Sequence, residues 1–260
     1  MPNSDHVATE AFTSATHWDD QWVTRPRPTL PSLLRVDTRN RARLLKRVVK
    51  PGMTFLEIGC APGKMLAHAA GVLGASVAGV DYSPLGIQWC REVFAGVGLK
   101  ADLRCEDVFN TTFEPASFDV VHSMGVIEHF ADPTRIVRVH AELLKPGGIA
   151  IVAIPNLTGL YATLARYFSS DLLALHNLSI MNCRALGRLA PADLVDGVEV
   201  FSFWQMCLDA VNIGRRWHPF AARPLYYLTE MLSAAQVVPI PALCPYLVLQ
   251  FRRSGQTNSQ

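Results

Sequence analysis

Acidic residues and glycines stand together immediately after apolar runs at several places in this chain. The clearest case is "FLEIGCAPGKML", residues 55–66, where Glu57 lies between two apolar residues and is followed by Gly59 and Gly63. A carboxylate inside an apolar run costs free energy unless a partner compensates for it. Glycines permit a sharp turn or the close approach of another group. The combination predicts a binding loop.

Three further polar clusters follow apolar runs later in the chain. Asp81 closes the run "ASVAGVD", Glu106 and Asp107 follow "KADLRC", and the segment "SMGVIEHF" at 123–130 follows "SFDVVH". In sheets of parallel strands, ligands bind beyond the carboxyl ends of the strands. We therefore expect the four loops to form one site.

The apolar runs predict the strands that position these loops. Short apolar runs bounded by turn residues are typical of buried strands, and helical segments between them favour parallel strands with helices on both faces. Ser83 and Pro84 supply an N-cap and a first-turn proline for one such helix. The predicted strands are 53–58, 75–81, 100–106, 117–123, 149–155, 198–204 and 245–253, and the predicted helices include 35–49, 63–74, 84–97 and 132–144.

The four loops, in this order and at this spacing, resemble those of the class I S-adenosylmethionine-dependent methyltransferases. The fourth motif "GVIEHF" and the string "LLKPGG" before the fifth strand are similar to the small-molecule group of that family. The resemblance covers about residues 50–156. It implies an α/β fold with a doubly wound, mostly parallel, seven-stranded Rossmann-like sheet and a helical cover. It also implies S-adenosylmethionine as cofactor and S-adenosylhomocysteine as product.

The resemblance assigns a role to each loop. Gly59 and Gly63 let the backbone approach the amino-acid part of the cofactor, and Glu57 helps to hold its amino group through water. Asp81 accepts from the ribose hydroxyls, and Asp107 accepts from the adenine amino group. The full predicted cofactor set is Glu57, Gly59, Cys60, Ala61, Gly63, Asp81, Tyr82, Asp107, Val108, Ser123 and Met124.

One position departs from the family pattern. The family loop reads ExGxGxG, and here Ala61, followed by Pro62, stands at the middle glycine. A Cβ atom is unfavourable where the backbone needs a positive φ, so we expect weaker or slightly displaced cofactor binding. The string "GCAPG" also occurs in some RNA ribose methyltransferases, but their lysine-rich catalytic set is not evident in this sequence.

Two histidines are candidates for the base that removes a proton from the methyl acceptor. Imidazole titrates at about pH 6.5 when unperturbed, so it accepts a proton at neutral pH. His129 is the first candidate because it follows the fourth strand, near the place where the methyl group should emerge. A purely structural role is the alternative. His176, beside Asn177, is the second candidate, in a segment similar to methyltransferases that act on sugars and other secondary metabolites.

Aromatic residues supply candidates for the acceptor pocket. Trp18 and Trp22 in the N-terminal segment, and Tyr161 and Trp204 in the second half, are predicted to contact the acceptor. The alternative for Trp18 and Trp22 is that they anchor the N-terminal arm to the core. An aromatic lining would favour a flat or apolar small molecule. The sequence predicts no metal site, because no carboxylate cluster has convincing metal-ligand spacing, although the resemblance leaves open a divalent ion at Glu128 and His129, as in some relatives.

Bulk composition excludes several classes of protein. The chain has 260 residues, of which 50% are hydrophobic and 18% charged, so a globular core is expected and general disorder is not. A net charge of +2 gives little support for nucleic-acid binding. The six cysteines include no CxxC pair, and residues 1–20 lack the apolar core of a secretory signal. These features predict a cytoplasmic protein.

The most apolar long stretch, 225–251, does not predict a transmembrane helix. Glu230 and the prolines 239, 241 and 245 interrupt it, whereas a spanning helix needs about 20 consecutive apolar residues. Peripheral contact with a membrane stays open.

These observations predict an extended, proline-rich arm at 1–34 that lies over the active site, and one methyltransferase domain at 35–260. The domain divides into a cofactor-binding core at 35–156, a substrate cover at 157–240 and a final strand and tail at 241–260. The expected activity is methyl transfer to oxygen or nitrogen of a small molecule, such as a secondary metabolite, sugar or lipid precursor. The alternatives are an RNA or protein methyltransferase, supported only by the basic residues 35–50, and a non-catalytic cofactor-binding partner protein. The oligomeric state is open.

Overall fold

The computed structural model describes residues 11–24, 36–203, 211, 224–225, 227–229, 231–233 and 240–255. A seven-stranded sheet with the strand order β3-β2-β1-β4-β5-β7-β6 organises this part of the chain. Strands β1 to β5 pair in parallel, and β7 is antiparallel to both of its neighbours. The strands are β1 Thr54–Ile58, β2 Ser76–Asp81, β3 Asp102–Cys105, β4 Phe118–Met124, β5 Leu144–Pro155, β6 Val195–Phe203 and β7 Tyr246–Arg253.

Helices connect the strands and cover both faces of the sheet. The labelled helices are α1 Ala15–Thr24, α2 Val36–Val48, α3 Lys64–Gly71, α4 Pro84–Gly96, α5 Thr134–Leu143, α6 Gly159–Phe168, α7 Ser170–Ala174 and α8 Cys183–Gly187. Short 3₁₀ turns follow β3, at Val108–Asn110, and β4, at Ile127–His129. The predicted doubly wound, mostly parallel fold is confirmed.

The strand and helix boundaries follow local sequence signals. All seven predicted strands are present, although β5 and β6 begin several residues earlier than predicted. Ser83 caps α4 as expected, since its hydroxyl accepts a hydrogen bond from the Gly86 amide at 2.9 Å. Pro84 occupies the first helical position, where its missing N–H group has no consequence.

The core lies on both faces of the sheet. In β1 the successive side chains of Phe55 and Leu56 belong to opposite core clusters, and both are fully buried. A strand with parallel neighbours on both sides and helices on both faces is expected to be apolar throughout. Glu57 is the exception in this strand, and it lies on the same face as Phe55 because side chains alternate along a strand.

The prediction of an extended arm is wrong for residues 15–24, which form α1. The prolines that suggested an extended chain stand after residue 25, so none interrupts "ATHWDDQWVT". Trp18 and Trp22 are four residues apart and therefore on one side of the helix. The ring of Trp22 packs against that of Trp89 on α4, with their centroids 5.6 Å apart.

Apolar side chains are exposed on the helical residues between 224 and 233. Tyr227, Leu228, Met231 and Leu232 are each more than half exposed. No helix among the described residues has the length and apolar character needed to cross a membrane.

Candidate functional site

A cleft opens where β1, β2 and β4 end. In the strand order, β1 lies between β2 and β4, which is the switch point where ligands bind in such sheets. Residues from all four predicted loops line the cleft, together with residues of the N-terminal segment. Ten predicted site residues are among the lining residues: Trp18, Trp22, Gly59, Ala61, Asp81, Tyr82, Asp107, Val108, Met124 and His129.

Asp81 joins the loops after β1 and β2. One carboxylate oxygen accepts from the Ala61 amide at 3.1 Å, and the other accepts from the Ser83 amide at 2.9 Å. Burial raises the pKa of Asp81, and these backbone donors act in the opposite direction. Each carboxylate oxygen has a second acceptor site, so hydroxyl groups of a ligand can also bind here.

Asp107 shapes the loop after β3. Its carboxylate caps the turn Val108–Asn110 by accepting from the Phe109 amide at 3.0 Å, and it also accepts from the Asn110 side chain at 3.0 Å. Asp107 and Val108 face the same cleft as Asp81. Asp81 and Asp107 therefore both accept hydrogen bonds from loop amides and line the cleft.

The glycines of the first loop are required by both conformation and packing. Gly59 has φ 69°, and a Cβ atom there would lie 2.5 Å from Cγ2 of Val126. Gly63 has φ 83° and precedes α3, and a Cβ atom there would lie 3.1 Å from the backbone of Cys90. The loop is thus held tightly against its neighbours.

The backbone at Ala61 does not have a positive φ, although the family pattern, with glycine at this position, suggested that one is needed. The one non-glycine residue with positive φ in the described part of the chain is Ala116. The Ala61–Pro62 peptide bond is cis, and the Ala61 amide points at Asp81. Gly86 on α4 leaves room for the methyl group of Ala61, because a Cβ atom at position 86 would lie 2.7 Å from it.

Glu57 lies behind the cleft wall rather than in it. It is 7% exposed, and its Oε1 is 4.0 Å from Nε2 of His122 on β4. Burial is the main cause that raises the pKa of Glu57 to about 8, while the charge of Arg41 lowers it. Oε2 has no hydrogen-bond partner among the described residues. This placement fits a role in ordering the loop.

Other predicted cofactor residues also lie outside the lining. The Ser123 hydroxyl donates to Nε2 of His140 at 2.9 Å, because Nδ1 of that ring donates to a backbone carbonyl. Cys60 is 2% exposed and its sulfur is 3.9 Å from that of Cys90. Side chains at these positions pack the loop, so contact with a cofactor would come from the backbone.

His129 faces the cleft at the end of β4 in a fixed orientation. Its Nδ1 lies 2.8 Å from the Leu175 carbonyl oxygen, and since a carbonyl only accepts, Nδ1 carries the hydrogen. Nε2 therefore keeps its lone pair. Burial is the main cause that lowers the pKa of His129 to about 4, and the ring of Trp18 meets it edge-on at 5.1 Å.

His176 lies against His129, although 47 positions separate them in the sequence. Their ring centroids are 4.6 Å apart. Asn177 fixes the contact, since its amide donates to the Glu128 carbonyl at 2.7 Å and its side chain to the Phe130 carbonyl at 3.1 Å. The two base candidates therefore belong to one cluster.

Glu128 completes this arrangement, which we call the Glu-His-His cluster: Glu128, His129 and His176. One metal-ligating atom from each residue lies within 4.8 Å of the other two. Neither carboxylate oxygen of Glu128 has a hydrogen-bond partner among the described residues. The sequence predicted no metal site, because Glu128 is the single carboxylate of this cluster and His176 is distant from it along the chain.

Residues of the N-terminal segment line the cleft, and the contacts that hold this segment were not predicted from the sequence. Ala11 pairs with Phe130, and the Phe12 amide donates to the His129 carbonyl at 2.7 Å. Asp19 accepts from the Ser83 hydroxyl at 2.5 Å and from the Leu85 amide at 3.3 Å, at the first turn of α4. An acid is favourable at a helix N-terminus.

Replacing Asp19 with alanine is expected to weaken cofactor binding about two- to tenfold, corresponding to the loss of one or two charged hydrogen bonds that hold α1. Isothermal titration with S-adenosylhomocysteine measures the affinity. Asp20→Ala is the matched control, because Asp20 is the exposed neighbour in the same helix. Equal affinities for the two variants would contradict a covering role for α1.

Two predicted acceptor contacts have different outcomes. Tyr161 is 1% exposed, and its hydroxyl donates to the Leu243 carbonyl at 3.0 Å. It belongs to the core cluster and is not among the lining residues of the cleft. Trp204 lies outside the described residues.

Comparison with known proteins agrees with the fold and the loops. Residues 56–152 match the family model described as "Methyltransferase domain". A "Ubiquinone biosynthesis O-methyltransferase" of Parvibaculum lavamentivorans is 34% identical over 158 residues, which cover 58% of this chain and 62% of that protein. Similar enzymes of Xanthomonas campestris are 37% identical over 113 residues, 43% of this chain and 47% of theirs. The chain thus spans about half to three fifths of these relatives.

Solved structures show the same fold at low sequence identity. Phosphoethanolamine N-methyltransferase 2 of Haemonchus contortus, in complex with S-adenosyl-L-methionine, has a TM-score of 0.59 at 19% identity, covering 94% of this chain and 58% of that one. The [4+2]-cyclase SpnF has a TM-score of 0.58 at 20% identity, covering 84% and 82%.

The matched domain, the similar enzymes and the shared fold agree with the resemblance of the four loops to the class I S-adenosylmethionine-dependent methyltransferases.

Proposed function

We propose that this protein transfers the methyl group of S-adenosylmethionine to an oxygen atom of a small-molecule acceptor and releases S-adenosylhomocysteine. The observation that carries the proposal is the position of His129, an oriented imidazole with a free Nε2, in the wall of the same cleft as Asp81 and Asp107. The two acids suit the adenosine half of the cofactor, and His129 suits the acceptor.

The cofactor half of the proposal follows from the donors and acceptors in the cleft. Asp81 would accept from the ribose hydroxyls, and Asp107 with the Val108 amide would meet the adenine edge. The tight turn at Gly59 would bring the backbone close to the methionine part. With these contacts the adenosine end would lie near β2 and β3, and the sulfonium end would lie near β4 and His129.

Methyl transfer is an in-line displacement at the sulfonium carbon. The O–CH₃ bond forms as the S–CH₃ bond breaks, and sulfur keeps the electron pair of the broken bond as a neutral thioether. A hydroxyl acceptor must also lose its proton, and Nε2 of His129 is oriented to receive it. Trp18 and the N-terminal segment exclude water from the reacting atoms, and positioning contributes much of the acceleration in such reactions.

The acceptor is proposed to be a hydroxylated, flat and largely apolar molecule. Curated relatives carry the name of ubiquinone O-methyltransferases, which favours oxygen over nitrogen as the accepting atom. The tryptophans 18 and 22 and Phe130 give the cleft aromatic walls, which suit a ring-containing substrate. It stays a prediction that the acceptor is a secondary metabolite, sugar or lipid precursor. The cytoplasmic location and the division of the chain into arm, core and cover also stay predictions.

Incubation with methyl-labelled S-adenosylmethionine and a panel of catechols, phenols, amines and RNA tests this function. Labelled methyl ethers of the hydroxylated rings are the expected products. Labelling of RNA with a steep dependence on salt would favour the nucleic-acid alternative. Binding of the cofactor without transfer to any acceptor would favour a non-catalytic role.

A further inference from the structure

Thr13 places a buried hydroxyl in the wall of the cleft, and the proposed function does not use it. The residue is 8% exposed and lines the cleft, whereas its neighbours Phe12 and Ser14 are exposed. A buried hydroxyl is costly unless it is hydrogen-bonded. The partners of this hydroxyl therefore indicate what it does.

The indole of Trp18 is one partner of the Thr13 hydroxyl. Its Nε1 donates to Oγ1 of Thr13 at 3.2 Å. An indole has an apolar body, and its single N–H group usually finds an acceptor when it is buried. Because that group stands at one edge of the ring, the hydrogen bond fixes the direction in which the ring of Trp18 faces.

The ring of Trp18 meets the ring of His129 edge-on in the cleft. The two centroids are 5.1 Å apart and the ring planes are 83° apart, an arrangement that aromatic rings prefer. The hydrogen bond from Nδ1 to the Leu175 carbonyl holds one atom of the imidazole, and the ring could still tilt about it. The contact with Trp18 restricts this tilt, so the direction of Nε2 depends on Trp18.

Tyr82 connects this arrangement to the loop after β2. Burial is the main cause that raises the pKa of Tyr82, and hydrogen bonds with the side chains of Thr13 and Trp18 lower it. Tyr82 follows Asp81 in the chain and lines the same cleft. Thr13 and Trp18 therefore link a residue beside the proposed ribose contact to the proposed base.

We propose that Thr13 is a positioning residue for methyl transfer: its hydroxyl orients the ring of Trp18, and that ring holds His129 in the direction from which Nε2 accepts the proton. The inference rests on the proposed function, in which His129 is the base. Reaction rates in an enclosed site depend steeply on alignment. A small tilt of the imidazole would therefore lower the rate while the ligands still bind.

The backbone of this segment is held independently of the Thr13 side chain. Ala11 pairs with Phe130, and the Phe12 amide donates to the His129 carbonyl at 2.7 Å. Removal of the Thr13 hydroxyl should therefore leave the segment attached and alter the orientation of Trp18. A substitution at this position can separate positioning from attachment.

The variant Thr13→Val tests the proposal in the full-length protein, because valine keeps the branched shape of threonine and lacks the hydroxyl. The assay follows transfer from methyl-labelled S-adenosylmethionine to a catechol that the wild type methylates, with both substrates saturating. We expect kcat to fall about three- to tenfold, the factor that corresponds to one neutral hydrogen bond. Calorimetric affinity for S-adenosylhomocysteine should change little. Thr13→Ser, which keeps the hydroxyl, is the matched control and should retain most of the wild-type kcat.

The variant Trp18→Phe extends the test to a double-mutant cycle. Phenylalanine keeps an aromatic ring near His129 and lacks the N–H group that Thr13 accepts. If one hydrogen bond is responsible, the double variant with Thr13→Val should lose little more than the single variants lose. Thermal unfolding of each variant verifies that it is folded.

Three results would overturn the inference: a wild-type kcat in Thr13→Val, an equal loss in Thr13→Ser, or additive losses in the double variant. Weaker S-adenosylhomocysteine binding at unchanged kcat would also overturn it, because Thr13 would then act on the cofactor alone. Each of these results leaves methyl transfer by the wild type intact. Absence of transfer by the wild type to every acceptor would instead contradict the proposed function, and this inference with it.

Discussion

Replacing His129 with alanine is expected to lower turnover by about 10²- to 10⁴-fold, the usual range for the loss of a positioned acid–base group. Affinity for S-adenosylhomocysteine should change little, because the ring is proposed to face the sulfonium end of the cofactor. Steady-state kinetics and calorimetry on one preparation measure both quantities.

A second variant separates the chemistry of His129 from its structural contacts. In His129→Asn the side-chain amide can still donate to the Leu175 carbonyl, which the Nδ1 atom does in the wild type. The Nε2 lone pair is absent. Turnover close to that of wild type in His129→Asn would show that His129 only holds the segment around residue 175 in place.

Replacing Asp81 with alanine is expected to weaken cofactor binding at least tenfold. One charge-assisted hydrogen bond to a ribose hydroxyl contributes about 1.4 kcal/mol, which is a factor of ten in affinity. The variant also removes the acceptor of the Ala61 and Ser83 amides, so the loops after β1 and β2 lose a shared contact. The expected loss is therefore a lower bound.

Calorimetric titration with S-adenosylhomocysteine measures this effect, and thermal unfolding of the same sample shows whether the fold is retained. Asp102→Ala is a suitable control, because Asp102 is an exposed acid at the opposite end of β3. Unchanged cofactor affinity in Asp81→Ala would remove Asp81 from the site.

The sheet was predictable because its strands obey local rules. The runs at 54–58 and 149–155 are apolar and are bounded by turn residues, as expected for strands covered on both faces. The loops that follow them were predictable as a group, since the carboxyl ends of parallel strands share one edge of the sheet. The order of the loops along the chain was therefore enough to predict that Asp81 and Asp107 lie in one cleft.

Contacts between distant segments were not predictable from local patterns. The two base candidates, His129 and His176, were treated as competitors, whereas the structure places their rings 4.6 Å apart. The cause is the side chain of Asn177, which donates to two carbonyls of the loop after β4. No periodicity or spacing in a single sequence reports such a tertiary hydrogen bond.

Side-chain direction was also not predictable from local patterns. Glu57 and Ser123 stand at strand ends beside the cleft, yet their side chains turn into the protein towards His122 and His140. Along a strand, neighbouring side chains point to opposite faces, but at the strand end the twist of the loop decides which of them reach the ligand. Tyr161 was assigned to the acceptor because it is aromatic, and its fully buried ring packs the core instead.

A crystal structure with S-adenosylhomocysteine bound tests the central claim most directly. We expect the ribose hydroxyls against Asp81, the adenine ring beside Asp107 and Val108, and the sulfur atom directed towards His129. A ligand bound in the reverse orientation, with its sulfur remote from His129, or bound outside the cleft altogether, would contradict the account.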